Sequence, residues 1–182
     1  MIFLTFGTGL GAGLILDGKL YSGTNDNAGE VGHIRLEDDG PEGYNKKGSF
    51  EGFCSGGGIA KLGEIYTEKA IKNGIVPSFA GGKISAKTIA EAADNGDETA
   101  IEIYKVCGEK LGKGLAVLID ILNPERIVIG SIFARSENLL WQYAKEVIDN
   151  EALTVSASVC EVVPATFGDK VGDYAAIGVA LL

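Results

Sequence analysis

A glycine-rich bend between two apolar segments constrains the fold of this chain more than any other feature. Residues 2–6 are a β-branched and aromatic run, which predicts a buried strand. Glycines occupy every second position after this run: Gly7, Gly9, Gly11 and Gly13. A second apolar run at residues 14–16 and the hairpin signal Asp17-Gly18 follow. The glycines therefore lie where one strand passes into the next.

A bend of this composition can bind an anion. Consecutive backbone N–H groups form an anion-binding concavity, and glycine lets a ligand approach the main chain closely. The bend is not a Walker A loop, because no Gly-Lys-Ser/Thr follows, nor a Rossmann fingerprint, because a strand follows instead of a helix. An ordinary glycine-rich hairpin without a ligand remains the alternative. The candidate phosphate-binding residues are Gly7, Thr8, Gly9 and Gly11.

An acid and the single histidine of the chain, Glu30 and His33, stand three residues apart. Glycines flank both residues, so little side-chain bulk shields them from a ligand. A carboxylate and an imidazole accept and donate in the pattern that neighbouring sugar hydroxyls require. A hydrogen-bonded structural histidine is the alternative. Glu51 precedes a predicted helix and is also consistent with an ordinary carboxylate at a helix start.

Five motifs follow one another along the chain: Gly-Thr-Gly-x-Gly-Ala-Gly, Asp-Gly-Lys-Leu, Ala-Gly-Glu-x-Gly-His, Gly-x-x-Glu and Ser-Gly. In this order they resemble the ROK family, which contains bacterial sugar kinases, glucokinases and sugar-responsive repressors. The resemblance extends over nearly the whole chain. It implies that Glu30, His33 and Glu51 contact sugar hydroxyls and that residues 7–9 lie near nucleotide phosphates.

The resemblance also implies a nucleotide. ROK proteins usually have Gly-Gly at a loop near the adenosine, where this chain has Gly130-Ser131 after an apolar strand. A plain strand-to-helix turn is the alternative there. The implied ligands are ATP, with Mg²⁺ bridging its phosphates, and a hexose whose identity the sequence does not reveal.

One departure from the family pattern concerns metal. ROK proteins usually bind zinc through the motif histidine and three cysteines, but the matching positions here hold Glu42, Tyr44 and Ser49. A structural zinc needs about four good ligands, so we predict no metal site. We expect packing of Tyr44 and Phe50 to hold the loop instead.

The second departure concerns catalysis. ROK kinases have an Asp-x-Gly-Gly-Thr loop and a catalytic aspartate in an Asn-Asp pair, both upstream of the segment matched here. Asn25-Asp26-Asn27 matches only superficially, because it follows the glycine bend. We therefore predict that residues 1–182 are a single domain, the C-terminal half of a two-domain ATP-dependent sugar kinase, without catalytic residues or useful activity of its own. The alternatives are the sugar-sensing domain of a ROK-type repressor and a scaffold that has lost its chemistry.

The order of predicted elements matches the ribonuclease H-like, actin-type ATPase domain. We expect an α/β fold with a mixed five-stranded sheet and helices on both faces, and with the glycine bend and Gly130 at one edge. A third strand is predicted at residues 32–36. Further helices and strands are predicted from capping and periodicity, at residues 50–71, 85–93, 98–122, 126–130, 136–148, 159–163 and 172–182.

Composition restricts the partners and the compartment. The net charge of −9 disfavours nucleic-acid binding by this segment. Three widely spaced cysteines are typical of reduced thiols in a cytoplasmic protein. A signal-peptide pattern and an apolar run of the ~18 residues that span a bilayer are both missing. An open half-cleft suggests a partner, either the N-terminal domain or a second copy in a homo-oligomer.

Overall fold

The computed structural model describes residues 1–168, so the helix predicted at residues 172–182 lies outside the described residues. Its strands are β1 (Ile2–Phe6), β2 (Leu10–Leu16), β3 (Lys19–Tyr21), β4 (Glu42–Gly43), β5 (Lys46–Lys47), β6 (Arg126–Ile129) and β7 (Glu161–Pro164). The main sheet has the order β3-β2-β1-β6-β7, while β4 and β5 form a separate ribbon. β1 pairs antiparallel with β2 and parallel with β6, which confirms the mixed five-stranded sheet.

The helices are α1 (Phe50–Phe53), α2 (Gly56–Lys72), α3 (Ala86–Asp94), α4 (Glu98–Leu122), α5 (Ile132–Glu151) and α6 (Thr154–Ala157). Their starts follow the capping residues in the sequence. The Ser85 hydroxyl accepts from the Thr88 amide at 3.2 Å, and Asp97 accepts from the Ala100 amide at 3.0 Å. Because these caps satisfy amides that have no partner inside the helix, they fix where α3 and α4 begin.

The core is one cluster of buried side chains from the main sheet and from α1 to α5, with α4 contributing the most. Ile2, Leu4 and Phe6 alternate along β1 and are fully buried, as a strand with one covered face requires. α4 in turn packs closely on α5, where a Cβ on Gly112 would stand 2.5 Å from the Ala144 carbonyl oxygen. The absence of a side chain at Gly112 therefore permits close contact between the two helices. Within residues 1–168, no helix is long and apolar enough to cross a membrane.

The prediction of a third strand at residues 32–36 is wrong. Val31–His33 forms a single 3-10 turn, and only Arg35 makes an isolated bridge, to Ser49. The third strand of the main sheet in chain order is instead β3, which pairs antiparallel with β2 across the Asp17-Gly18 turn. The reason is Gly29: its φ of +95° turns the chain back onto β2, where its carbonyl oxygen accepts from the Ala12 amide at 2.8 Å.

Other predicted boundaries are also shifted. β2 begins at Leu10 rather than at residue 14, so Gly11 and Gly13 pair with Thr5 and Phe3 inside the sheet. α5 begins at Ile132 rather than at residue 136, where the backbone of Ser136 instead makes a non-helical kink. β7 begins at Glu161 rather than at residue 159, because the amides of Val159 and Cys160 still donate to carbonyls of α6.

Cys54 and Cys107 are buried free thiols, and Cys160 is half-buried and also free.

An ionic contact ties the polar loop after the 3-10 turn to α4. Glu37 Oε1 accepts from Lys110 Nζ at 2.5 Å and from Lys113 Nζ at 2.8 Å. These two hydrogen bonds lower the pKa of the Glu37 carboxyl from its ordinary 4.5 to about 2. Because the pKa in the folded protein is depressed, the contact stabilises the fold above pH 4.5, and this stability is lost as the pH falls toward 2.

We expect Glu37→Gln to lower the free energy of unfolding at pH 7 by about 1 kcal/mol, since the pair is partly exposed and screened. The difference from wild type should shrink as the pH falls from 4.5 toward 2, where the wild-type carboxyl becomes protonated as well. Urea denaturation at a series of pH values measures this, with the exposed neighbour Asp38 changed to Asn as control. A destabilisation that does not vary with pH would contradict the assignment.

Candidate functional site

The glycine bend lies at the carboxyl end of β1, between two cavities. The Gly7 amide donates to the Gly9 carbonyl at 3.0 Å, and the Gly7 carbonyl accepts from the Gly56 amide at 2.7 Å. The bend is therefore fixed to the first turn of α2. Since the Gly7 amide is used inside the bend, the donors that the bend can offer a ligand are the amide and hydroxyl of Thr8 and the amide of Gly9. These make no hydrogen bond to the part of the chain that the structure describes.

A cavity of about 670 Å³ opens on the α5 side of the bend. It brings together three of the predicted residues, Gly7, Thr8 and Ser131, while Gly130 lies directly beside Ser131 and is bonded through its amide to the Leu4 carbonyl at 2.9 Å. Charged and hydroxyl side chains complete its wall, among them Ser85, Lys87, Glu91, Asp94, Arg135 and Ser136. Gly9 and Gly11 do not line it. The prediction of Gly11 as a phosphate-binding residue is wrong, because Gly11 lies inside β2 and its amide donates to the Thr5 hydroxyl at 3.2 Å.

Ser131 has a φ of +58° and a ψ of −113°, a conformation that costs an L residue free energy. The position follows β6, where the family usually has a second glycine. The Ser131 hydroxyl accepts from Arg135 Nη2 at 3.4 Å. The serine thus retains the backbone bend of a glycine turn and adds a hydroxyl to the cavity wall.

A second cleft, of about 540 Å³, opens on the other side of the bend. It brings together all three residues predicted to contact a sugar, namely Glu30, His33 and Glu51. Glu30 and His33 lie at the 3-10 turn, and Glu51 lies in the first turn of α1. The remaining lining residues are Leu10, Asn25, Asn27, Gly32 and Tyr44.

Glycines hold the acid–imidazole turn against β2. A Cβ on Gly29 would overlap the Ala12 carbonyl oxygen, and a Cβ on Gly32 would overlap the Leu10 carbonyl oxygen. The glycines around Glu30 and His33 are therefore needed for close backbone packing. They place the two side chains beside the glycine bend.

Glu51 joins the two halves of the site. Its Oε2 accepts from the Leu10 amide at 3.0 Å, and a Cβ on Gly9 would stand 2.8 Å from the same oxygen. The Ser49 hydroxyl caps α1 by accepting from the Gly52 amide at 3.0 Å, which fixes the helix that presents Glu51. The carboxylate therefore contacts the bend on one side and faces the second cleft on the other.

Sequence reasoning set Asn25 and Asn27 aside, yet both line the second cleft. Asp26, between them, has a φ of +61°, and Asn27 Nδ2 donates to the Asn25 carbonyl at 3.0 Å. This turn brings both amides to the same cleft. The only sequence signal was the Asn-Asp-Asn turn composition, which does not by itself indicate a ligand.

The loop that replaces the zinc site is held differently from the prediction. Phe50 is buried as expected, but Tyr44 is 82% exposed and does not pack in the core. Close backbone contact holds the loop instead, because a Cβ on Gly43 would stand 2.5 Å from the Gly52 amide nitrogen. Lys46 Nζ also donates to the His33 carbonyl at 2.7 Å. Among residues 1–168, no group of three or more His, Cys, Asp or Glu is placed to hold a metal ion.

The five-stranded mixed sheet, with a glycine bend at the end of its central strand and cavities on both sides, has the actin-like ATPase fold. The chain belongs to the ROK family, whose family model matches residues 1–182.

Known proteins related to the chain include both enzymes and regulators. It is 33% identical over 175 residues to a glucokinase of Halalkalibacterium halodurans, covering 94% of this chain and 53% of the glucokinase. It is 29% identical over 184 residues to the N-acetylglucosamine repressor of Escherichia coli O157:H7, covering 96% of this chain and 43% of the repressor. The chain thus spans about half the length of these relatives.

A solved structure supports the fold directly. The ROK family glucokinase from Streptomyces griseus, in complex with glucose and AMPPNP, superposes with a TM-score of 0.79 at 27% identity. The match covers 94% of this chain and 57% of that glucokinase. The fold and the family are therefore established, and the related proteins include sugar kinases and repressors at similar identity.

Proposed function

We propose that this chain is the C-terminal half of an ATP-dependent ROK sugar kinase, which transfers the γ-phosphoryl group of ATP to a hexose hydroxyl. The observation that carries the proposal is the position of Glu51. Its carboxylate contacts the glycine bend through Leu10 and faces the cleft that contains Glu30 and His33. A sugar in that cleft and a phosphate at the bend would therefore be neighbours, as phosphoryl transfer requires.

The residues take distinct roles in this proposal. Glu30 and Glu51 accept hydrogen bonds from sugar hydroxyls, and His33 orients a third hydroxyl. The amides of Thr8 and Gly9 donate to phosphate oxygens, with the adenosine toward Gly130 and Ser131. The larger cavity, of about 670 Å³, has the size of an ordinary small-molecule site. Mg²⁺ would arrive with the nucleotide, because this ion is usually held by phosphates and only one or two carboxylates.

The general base would come from the N-terminal half, as an aspartate that takes the proton of the attacking hydroxyl. The sugar oxygen then bonds to the γ-phosphorus while the bond to the β–γ bridging oxygen breaks. A missing base typically costs about 10²–10⁴ in rate. Loss of the opposite cleft wall also removes orientation, which is worth about 7–11 kcal/mol. Residues 1–182 alone should consequently show no useful turnover.

The test is hexose-dependent release of ADP by the full-length protein, measured with a coupled assay over glucose, mannose, fructose and N-acetylglucosamine. ATP turnover that depends on one of these sugars, and is absent from residues 1–182 alone, is the expected result. Turnover by residues 1–182 alone would overturn the assignment of the base to the other half. If the full-length protein releases no ADP with any of these sugars, the kinase proposal is contradicted.

A second candidate function, sugar sensing in a transcriptional repressor, is favoured by the 29% identity to the N-acetylglucosamine repressor over 96% of this chain. In that case the second cleft binds a sugar, but no phosphoryl transfer follows. Calorimetry combined with the coupled assay separates the two functions. A sensor binds the sugar but consumes no ATP in its presence. A helix-turn-helix upstream of residue 1 in the full-length protein would support the sensor.

A further inference from the structure

We propose that Tyr44 is a wall of the sugar cleft, and that its ring stacks on the apolar face of a bound hexopyranose. This inference deepens the proposed function and rests on it. Tyr44 occupies one of the positions at which the family usually has a zinc cysteine. Here the loop carries an aromatic ring at the cleft instead of a metal ligand.

The first argument is the backbone of Tyr44. Gly43 pairs with Lys46, so Tyr44 and Asn45 form a two-residue connection between β4 and β5. Their φ angles are +46° and +61°, which is the pattern of a type I′ turn. Asparagine and glycine suit both positions, whereas a bulky aromatic residue is an outlier there. A costly side chain at a turn points to a role outside folding.

The second argument is the position of the ring. It is 82% exposed, although burial of an aromatic side chain is favourable. Its centroid lies 6.3 Å from that of the His33 ring at an interplanar angle of 80°. The ring thus lies beside the imidazole, in the cleft that Glu30 and Glu51 also line.

The third argument is that the hairpin cannot easily move away. Gly43 lies against the Gly52 backbone, and the Lys46 ammonium donates to the His33 carbonyl at 2.7 Å. The Arg35 guanidinium donates to the Lys47 carbonyl at 2.9 Å. The Tyr44 backbone is therefore fixed relative to both the 3-10 turn and α1.

These observations match the chemistry of a sugar ring. A hexopyranose has hydroxyl groups around its edge and C–H groups on its faces. The carboxylates and the imidazole would hydrogen-bond to the hydroxyls at the edge, and the aromatic ring would stack on one face. Small-molecule sites commonly combine a few polar groups with apolar walls in this way. Tyr44 would thus favour a hexose whose stacked face carries no axial hydroxyl.

The test uses three variants of the full-length protein. Tyr44→Asn places a residue suited to the turn and removes the ring, Tyr44→Phe keeps the ring, and Tyr21→Asn removes an exposed tyrosine from β3 as control. The probes are D-glucose and N-acetyl-D-glucosamine, with affinity measured by calorimetry and unfolding by thermal denaturation.

We expect Tyr44→Asn to bind the preferred sugar about tenfold more weakly, the equivalent of one good aromatic contact. It should nevertheless unfold at a higher temperature than wild type, because the turn strain is relieved. Tyr44→Phe and Tyr21→Asn should keep the wild-type affinity. A decrease in sugar affinity together with an increase in unfolding temperature distinguishes the loss of a ligand contact from general damage to the fold.

Two results would overturn the inference, and they are distinguishable. If wild type binds a sugar and Tyr44→Asn binds it equally well, Tyr44 is not a cleft wall, while the proposed function stands. If wild type binds neither probe and no other hexose, the proposed function fails and the role of Tyr44 fails with it.

Discussion

Replacement of Glu51 by glutamine is expected to reduce hexose phosphorylation by the full-length protein about 100-fold in kcat/KM, with little change in stability. A hydrogen bond from a sugar hydroxyl to a charged acceptor is worth about 1.5–3 kcal/mol, and glutamine removes the charge. Glutamine keeps an oxygen that can still accept from the Leu10 amide, which Glu51 Oε2 now does at 3.0 Å. The fold should therefore survive while the ligand contact weakens.

The matched control is Glu42→Gln, because Glu42 is an exposed carboxylate in β4 that does not line the cleft. Steady-state kinetics and sugar calorimetry on both variants give the comparison. Equal losses of kcat/KM in the two variants would indicate a general effect of charge. An unchanged kcat/KM in Glu51→Gln would show that Glu51 does not contact the sugar. If the full-length protein is a sensor, the same loss should appear in sugar affinity alone.

Replacement of Gly29 by alanine is expected to be strongly destabilising, lowering the free energy of unfolding by about 3 kcal/mol or more. The new methyl group would overlap the Ala12 carbonyl oxygen, so either β2 or the 3-10 turn must shift. Alanine also disfavours the φ of +95° that Gly29 adopts. Glu30 and His33 would move with the turn, so sugar binding should be lost as well.

Gly13→Ala provides the control. Gly13 lies in β2 at an ordinary φ, and a Cβ there meets nothing within 4 Å. We expect its stability to stay within about 0.5 kcal/mol of wild type, because alanine is acceptable in a strand. Urea denaturation and thermal scans of the two variants measure the difference. A Gly29→Ala protein as stable as Gly13→Ala would show that the close contact with β2 is not maintained in solution.

Elements set by local interactions were predictable from the sequence. The α4 bounds, Glu98–Leu122, match the prediction because Asp97 supplies a cap and Asn123-Pro124 ends the helix. The Ser85 cap of α3 and the strand at Arg126–Ile129 were predictable for the same kind of reason. Each signal lies within a few residues of the element that it defines.

Elements set by distant contacts were not predictable in the same way. The segment at residues 32–36 has strand-like alternation, yet it forms no strand of the sheet because Gly29 and Gly32 lie flat against β2. Tyr44 is apolar enough to suggest packing, but its turn directs it toward the His33 ring. Asn25 and Asn27 lie in a cleft whose other wall, Glu51, comes more than twenty residues later in the chain.

The sequence by itself determined the family, the glycine bend and the kinds of side chain available to a sugar and a phosphate, because composition and spacing are local properties. The tertiary structure decided that Glu51 contacts the bend through the Leu10 amide and that Tyr44 stands at the cleft. The first depends on a hydrogen bond between segments about forty residues apart, and the second on close contact of Gly43 with the Gly52 backbone, which a side chain at position 43 would block.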